Sequence, residues 1–231
     1  MRDLEQQATA AALTSDGEYA ELLKAIAWID THVANINLPT DERSLIGRGC
    51  FDVGIEHQDS IALLYKSGFH GSMLALLRVL VDSVVRGVWL ITCANDGELE
   101  RFKKGRIDKE FGVLIDEIEA RVGHTNRVLS TMKAKDWKSL NDFTHRGYQQ
   151  VTRRHSSGAV GANLPEAEIQ AALSYAGALG LMAASLLAGM AGNANLVEAA
   201  VTRIQEFTHR AHRAPLRRAN LTATEKSTRR Y

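Results

Sequence analysis

The stretch that decides the fold runs from His70 to Asn95, HGSMLALLRVLVDSVVRGVWLITCAN. It contains no proline and is apolar on nearly every face, the pattern of a helix buried on most sides of a bundle. Its neighbours read the same way. SGFHGS, residues 67–72, is a turn. Before it, Pro39 breaks the chain, Thr40 can cap, and Asp41 with Glu42 places negative charge on the first turn of a helix reaching about Lys66. Further back, Leu22, Leu23, Ile26, Ala27, Ile29 and Val33 keep helical period from Glu18 to about Val33. Downstream, Asp96 caps a short charged helix, and GRIDKEFGVLIDEIEARVG, residues 105–123, is amphipathic through Phe111, Val113, Leu114, Ile115 and Ile118. A more polar stretch covers Thr125–Thr144, and HSSGAVGANLP, residues 155–165, reads as the longest loop. Two more helices, about Glu166–Gly192 and Leu196–Arg213, finish the pattern.

The whole chain agrees with that core. Only 3 of 231 residues are proline and 45% are apolar, which suits long helices and makes a turn-rich sandwich hard to build. The expected fold is all-α, a single helical bundle of about seven helices over residues 1–214, followed by a basic tail over 215–231 that has little to bury. The net charge of +1 excludes a global field for nucleic acid or anionic lipid. That sum hides unlike parts, since residues 203–231 carry eight basic against two acidic side chains, leaving −5 on the rest. A basic end of this kind is either a nucleic-acid arm or a solvated helix end that suits the helix dipole.

The first residues, MRDLEQQ, hold no apolar core of a secretory signal, so the sequence predicts a cytoplasmic protein. Cys50 and Cys93 stand alone in apolar stretches and read as reduced core residues. Residues 169–197 carry no charge and are long enough to cross a bilayer, but they are rich in Ala and Gly and flanked by Glu. We read them as the central helix of a bundle, close-packed through Gly177, Gly180, Gly189 and Gly192, or as a self-association face, and expect no membrane partner. A homo-oligomer, most simply a dimer, follows from the second of these readings.

Polar groups interrupt the deciding helix at one place. Arg78, Asp82 and Arg86 recur at i, i+4 and i+8, forming a stripe on a helix otherwise made of Met, Leu, Val, Trp and Ile. Desolvating such charges costs several kcal/mol each unless they pair or line a wet cleft. Asp82 can bridge both arginines, and the spare guanidinium donors call for a second carboxylate or a phosphate. Asp52, Glu56 and Asp59, beside His57 on the preceding helix, are the candidate carboxylates. A structural clamp and a functional cleft are both open readings.

The second polar segment is WKSLNDFTHRGYQQVTRRH, residues 137–155. His145 follows Thr144 and precedes Arg146, with Arg153 and Arg154 a few residues on. A histidine titrating near neutrality can serve as general acid or base, and adjacent arginines can hold a phosphate. No Gly-rich phosphate loop, HExxH, CxxC or GxSxG occurs, so no cofactor and no metal is expected.

Together, EHQDSIALLYKSGFHGSMLALLRVLVDSVVRGVWL and SLNDFTHRGYQQVTRR resemble a bacterial all-helical family of unknown function, over roughly residues 43–190. Its pattern joins a His-bearing helix, an Arg-acid-Arg helix ending in Trp-Leu, and a Thr-His-x-Gly segment. The matching positions are His57, Arg78, Asp82, Arg86, Trp89, Thr144, His145, Gly147 and Arg153 or Arg154, with Asp82 in place of the usual Glu. More distantly, the chain is similar to HEPN-type bundles, which include dimeric, metal-independent RNases of toxin-antitoxin and phage-defence systems. That resemblance implies an HEPN-like core and RNA or a partner protein as ligand. It would make His145, Arg78, Asp82 and Arg86 catalytic, with His57, Thr144, Arg146, Arg153 and Arg154 binding. HEPN RNases place Arg and His four to six residues apart, whereas His145 has only Lys138 seven positions before it. RIQEFTH puts Arg203 and His209 at the right spacing, a coincidence expected roughly twice by chance in such a chain. The other hypothesis is a non-catalytic interaction or sensor bundle in which the same residues fix helix register.

Overall fold

The computed structural model describes residues 2–106, 109–122, 127–144, 151, 155–156, 159–160 and 164–213. Among them, helices α1 (Arg2–Val33), α2 (Glu42–Lys66), α3 (His70–Thr92), α4 (Asp96–Lys103), α5 (Phe111–Val122), α6 (Val128–Thr144), α7 (Glu166–Met190) and α8 (Ala194–Arg213) account for nearly everything. The all-helical expectation is met, with eight helices among the described residues. The segment read as the longest loop contains a small antiparallel pairing of β1 (His155–Ser156) with β2 (Ala159–Val160). Alternation over two residues is too short to leave a periodic signal. The tail over 215–231 lies outside the described residues.

Capping chemistry sets the start of α2 one residue later than Thr40 would. Asp41, in extended backbone, accepts the Ser44 amide at 3.1 Å. The start of α4 shifts the other way. Asn95 rather than Asp96 is the cap, and it exchanges bonds with Glu98 in a capping box, leaving Asp96 to place charge in the first turn. Helix α1 begins well before Glu18, at Arg2.

Helices α2 and α3 form a hairpin across the turn at Gly68, whose φ of 76° a residue with a Cβ rarely adopts. The two axes come close because Gly87 presents no side chain to the Phe51 ring. Helix α3 carries the main core, with Met73, Leu77, Leu80, Val81, Val85 and Leu90 buried against Leu22, Ile61, Leu114, Ile115 and Leu173. Helix α7 is the second axis of the fold. It packs on α1, α2, α3 and α8, while α5 and α6 cover the far side of α3. Two of its four expected glycine contacts are made inside the protomer, where Phe207 of α8 lies over Gly177 and the Gln58 amide of α2 fills the space at Gly180, whereas Gly189 is exposed with no close neighbour and Gly192 lies past the helix end in a left-handed turn. That is the central-helix reading of the uncharged run. By length and composition this is also the one described helix apolar enough to span a membrane, and 67% of that window is buried within the bundle.

Candidate functional site

The polar stripe of α3 exists and Asp82 bridges both arginines as expected, but the spare donors of Arg78 find an amide and aromatic rings in place of a second carboxylate. Asp82 takes Arg86 in a two-pronged pair, with Nε to Oδ2 at 3.2 Å and Nη2 to Oδ1 at 3.0 Å. Arg78 stands at 3.6 Å from the same carboxylate. Its Nε donates to Asn141 of α6 at 2.9 Å, and its guanidinium carbon lies 3.8 Å from the centre of the Trp137 ring. Trp137 in turn stacks on Phe111 of α5 at 3.6 Å and 4°. One arginine therefore ties α3 to α5 and α6 through an amide and two aromatic faces, which is where a planar, weakly hydrated guanidinium does what a lysine would not. Side-chain exposures of 18%, 23% and 16% for Arg78, Asp82 and Arg86 place the stripe at the edge of the core, not in open solvent. Burial outweighs the Asp82 charge and holds the Arg78 pKa below its ordinary value.

The carboxylates of α2 do not complete the stripe. Among the described residues Asp52, Glu56 and Asp59 form no ion pair with Arg78 or Arg86; they lie toward α1 instead, where burial and then the charges of Asp30 and Glu56 push the Asp59 carboxyl up. The sequence reading gave Arg78 a charged partner because charge is visible in a sequence. It had no signal for an aromatic stack assembled from residues 33 and 59 positions away. Arg86 is left with Nη1 buried and without a hydrogen-bond partner. Cys50 lies near it, and burial pushes the thiol up to about 11.

His57 is half-buried and has no hydrogen-bond partner among the described residues. The buried member of the EHQ string is its neighbour Gln58, fully enclosed with both amide atoms unpartnered. Thr144 is within reach of the stripe's helix. Its hydroxyl donates to Leu140 O at 3.0 Å and stands 3.4 Å from Ala75 O, one turn before Arg78. His145, Arg146, Gly147, Arg153 and Arg154 lie outside the described residues.

Residues 51–212 match a family of unknown function, DUF6988. The chain belongs to that family. The matched span takes in the Arg78–Asp82–Arg86 stripe, its aromatic and amide partners on α5 and α6, and both small-residue contacts of α7. No curated protein and no solved structure gives a match.

Two further polar assemblies, one of them reaching beyond the family span, went unread in the sequence. Arg43, just outside it, donates to Leu90 O at 2.7 Å and Ala94 O at 2.5 Å and to Asp96 Oδ1 at 2.7 Å, so a cation from α2 caps the C-terminus of α3. The buried Trp89 donates Nε1 to Glu117 Oε2 at 2.6 Å, and Lys109 bridges Glu117 and Glu98 at 2.5 Å each while lying 4.9 Å from the Trp89 ring. Arg43 looked like a first-turn surface charge, and only its partners, 47 to 53 residues on, reveal its use. Among the described residues no group of three or more His, Cys, Asp or Glu could hold a metal ion.

Proposed function

We propose that this protein is a non-catalytic interaction or sensor bundle in which Arg78, Asp82 and Arg86 clamp helices together. The observation that carries this reading is the enclosure of Arg78, with its Nε on Asn141 and its guanidinium over Trp137. Arg78 commits its Nε to Asn141, one face to Trp137 and its charge to Asp82, so the fold itself already gives the cation its partners. The test is thermal unfolding measured beside RNA cleavage on the full chain. Arg78→Ala and Asp82→Asn each lower the melting temperature, and the wild-type protein leaves total RNA intact in EDTA. A wild-type protein that degrades RNA under those conditions overturns it.

One observation favours a second reading, an HEPN-like RNA-handling protein of a defence or toxin-antitoxin system, dimeric and metal-independent. Arg86 Nη1 is buried and unpartnered, and Thr144 brings the residue before His145 to Ala75, one turn from Arg78. An orphan guanidinium donor on the stripe is what a bound phosphate would complete. In that case His145→Ala abolishes cleavage while the melting temperature stays within a degree or so of wild type.

A further inference from the structure

Helices α1 and α2 both pack on α7 but scarcely on each other, and a groove of about 690 Å³ opens in the seam between them. It shares no residue with the α3 stripe and does not depend on how that stripe is read. Part of its lining is apolar, formed by Ile29, Val33 and Leu187. The rest of the seam is mostly acidic. Asp52, Glu56 and Asp59 stand at i, i+4 and i+7 along one face of α2, and Asp30 comes from α1. Burial, and then the charges of Asp30 and Glu56, push the Asp59 carboxyl up, which sets these carboxylates within one another's field. All four acids are exposed, and among the described residues none makes an ion pair or a side-chain hydrogen bond. Among the described lining residues Arg48, one turn before Asp52, is the one base, so the seam is left three charges negative.

The chain carries a cation suited to that seam. Residues 214–231, beyond the described residues, hold Arg217, Arg218, Lys226, Arg229 and Arg230 against Glu225, with Tyr231 after the last two arginines. Reach decides which of them can arrive. Helix α8 returns along α7 with Phe207 over Gly177, so its end at Arg213 lies about 9 Å to one side of that level and the groove at Leu187 about 15 Å to the other. Passing α1, on which α8 rests through Arg203 and Trp28, adds roughly one helix diameter and brings the path to about 30 Å. Arg217 and Arg218 fall short at about 16 Å of extended chain, whereas Lys226 to Tyr231 have about 43–59 Å. We propose that residues 226–231 dock in the seam of their own protomer, with Tyr231 on the apolar lining and Lys226, Arg229 and Arg230 along Asp30, Asp52, Glu56 and Asp59. Charge complementarity selects this occupant, since a neutral apolar ligand leaves the carboxylates unmatched and an anion is repelled by them. The basic end is then neither a nucleic-acid arm nor a solvated helix end, but a ligand of the acidic face.

The test is zero-length carbodiimide cross-linking of the full chain, which joins amines to carboxylates, followed by peptide mass spectrometry. Lys226 holds the one side-chain amine in 214–231, and the Lys103–Glu100 pair at 2.7 Å serves as the internal control. Lys226 links to Asp30, Asp52, Glu56 or Asp59 in protein that migrates as a monomer. In 1 M salt, where such charges reach only about 3 Å, the link is lost. Arg229→Glu with Arg230→Glu lowers its yield about fivefold, the loss of two screened surface contacts, and leaves the control link unchanged. These positions lie beyond α8, so the melting temperature stays that of the wild type. The proposal is overturned if Lys226 forms no link while the control does, or links as readily to exposed acids elsewhere such as Asp116 and Glu198. A Lys226 link found only between two chains, or a yield indifferent to the double substitution, overturns it as well.

Discussion

At the scale of single residues, Arg78 shows what type of cation the fold requires. Its contacts are a flat face on Trp137 and a directed Nε–H to Asn141, and an ammonium group provides neither geometry. Arg78→Ala is expected to cost about 2 kcal/mol, the sum of a partly desolvated cation–π contact and a charge-assisted hydrogen bond. Arg78→Lys recovers less than half of it, and Arg78→Met, which keeps an apolar chain on the ring, recovers more than Lys; urea unfolding of the three variants ranks them. Cys50 gives a pH dependence whose sign is fixed by burial. Its thiol is pushed from 9.0 up to about 11 in the folded chain, so the folded state holds a proton that the unfolded state releases. Its contribution is fully present below about 9 and is lost as pH rises through 11. Melting temperature should therefore fall more steeply between these values in wild type than in Cys50→Ala, a comparison that subtracts the common titration of Lys and Tyr.

At the scale of elements, the contact between α2 and α7 joins two things that each look unfavourable alone. Gln58 is enclosed with an unpartnered amide, and Gly180 weakens a long helix, but the amide occupies the space that the glycine leaves. Gly180→Ala in the wild type drives a methyl into that amide and costs about 1–3 kcal/mol. In a Gln58→Ala background the same change costs little, so chemical unfolding of the cycle yields a coupling above about 1 kcal/mol. Gly177→Ala meets the Phe207 ring and acts likewise. Both glycine variants should change stability and leave the sedimentation coefficient unaltered, because their small surfaces face inward.

At this scale, too, the sequence was readable where a pattern is local. Helical period and the turn at Gly68 placed α2, α3, α7 and α8 within a few residues, and the Arg-Asp-Arg stripe was visible as charge on an apolar helix. The caps at Asp41 and Asn95 were displaced by one residue because neighbouring Thr40 and Asp96 can also cap, and only backbone geometry chooses between them. Partners were not readable. The pairing of Arg43 with the end of α3, of Trp89 with Glu117 and of Arg78 with Trp137 joins residues 28 to 59 positions apart, and nothing local in either partner announces the other.

At the scale of the whole molecule, two long buried helices, α3 and α7, carry the core, and the remaining helices are fastened to them by polar contacts at the edges. Arg43 fastens the end of α3, Lys109 joins α4 to α5 through Glu98 and Glu117, and Arg78 holds α5 and α6. On this account the stripe is the fastening of one layer to another. The most direct test is a double-mutant cycle across that layer, Arg78→Ala with Trp137→Ala, followed by urea unfolding of the full chain. A clamp gives a coupling energy of about 1 kcal/mol or more between the two positions. A coupling near zero, with Arg78→Ala as stable as the wild type, would contradict it and favour the phosphate-binding reading of Arg78.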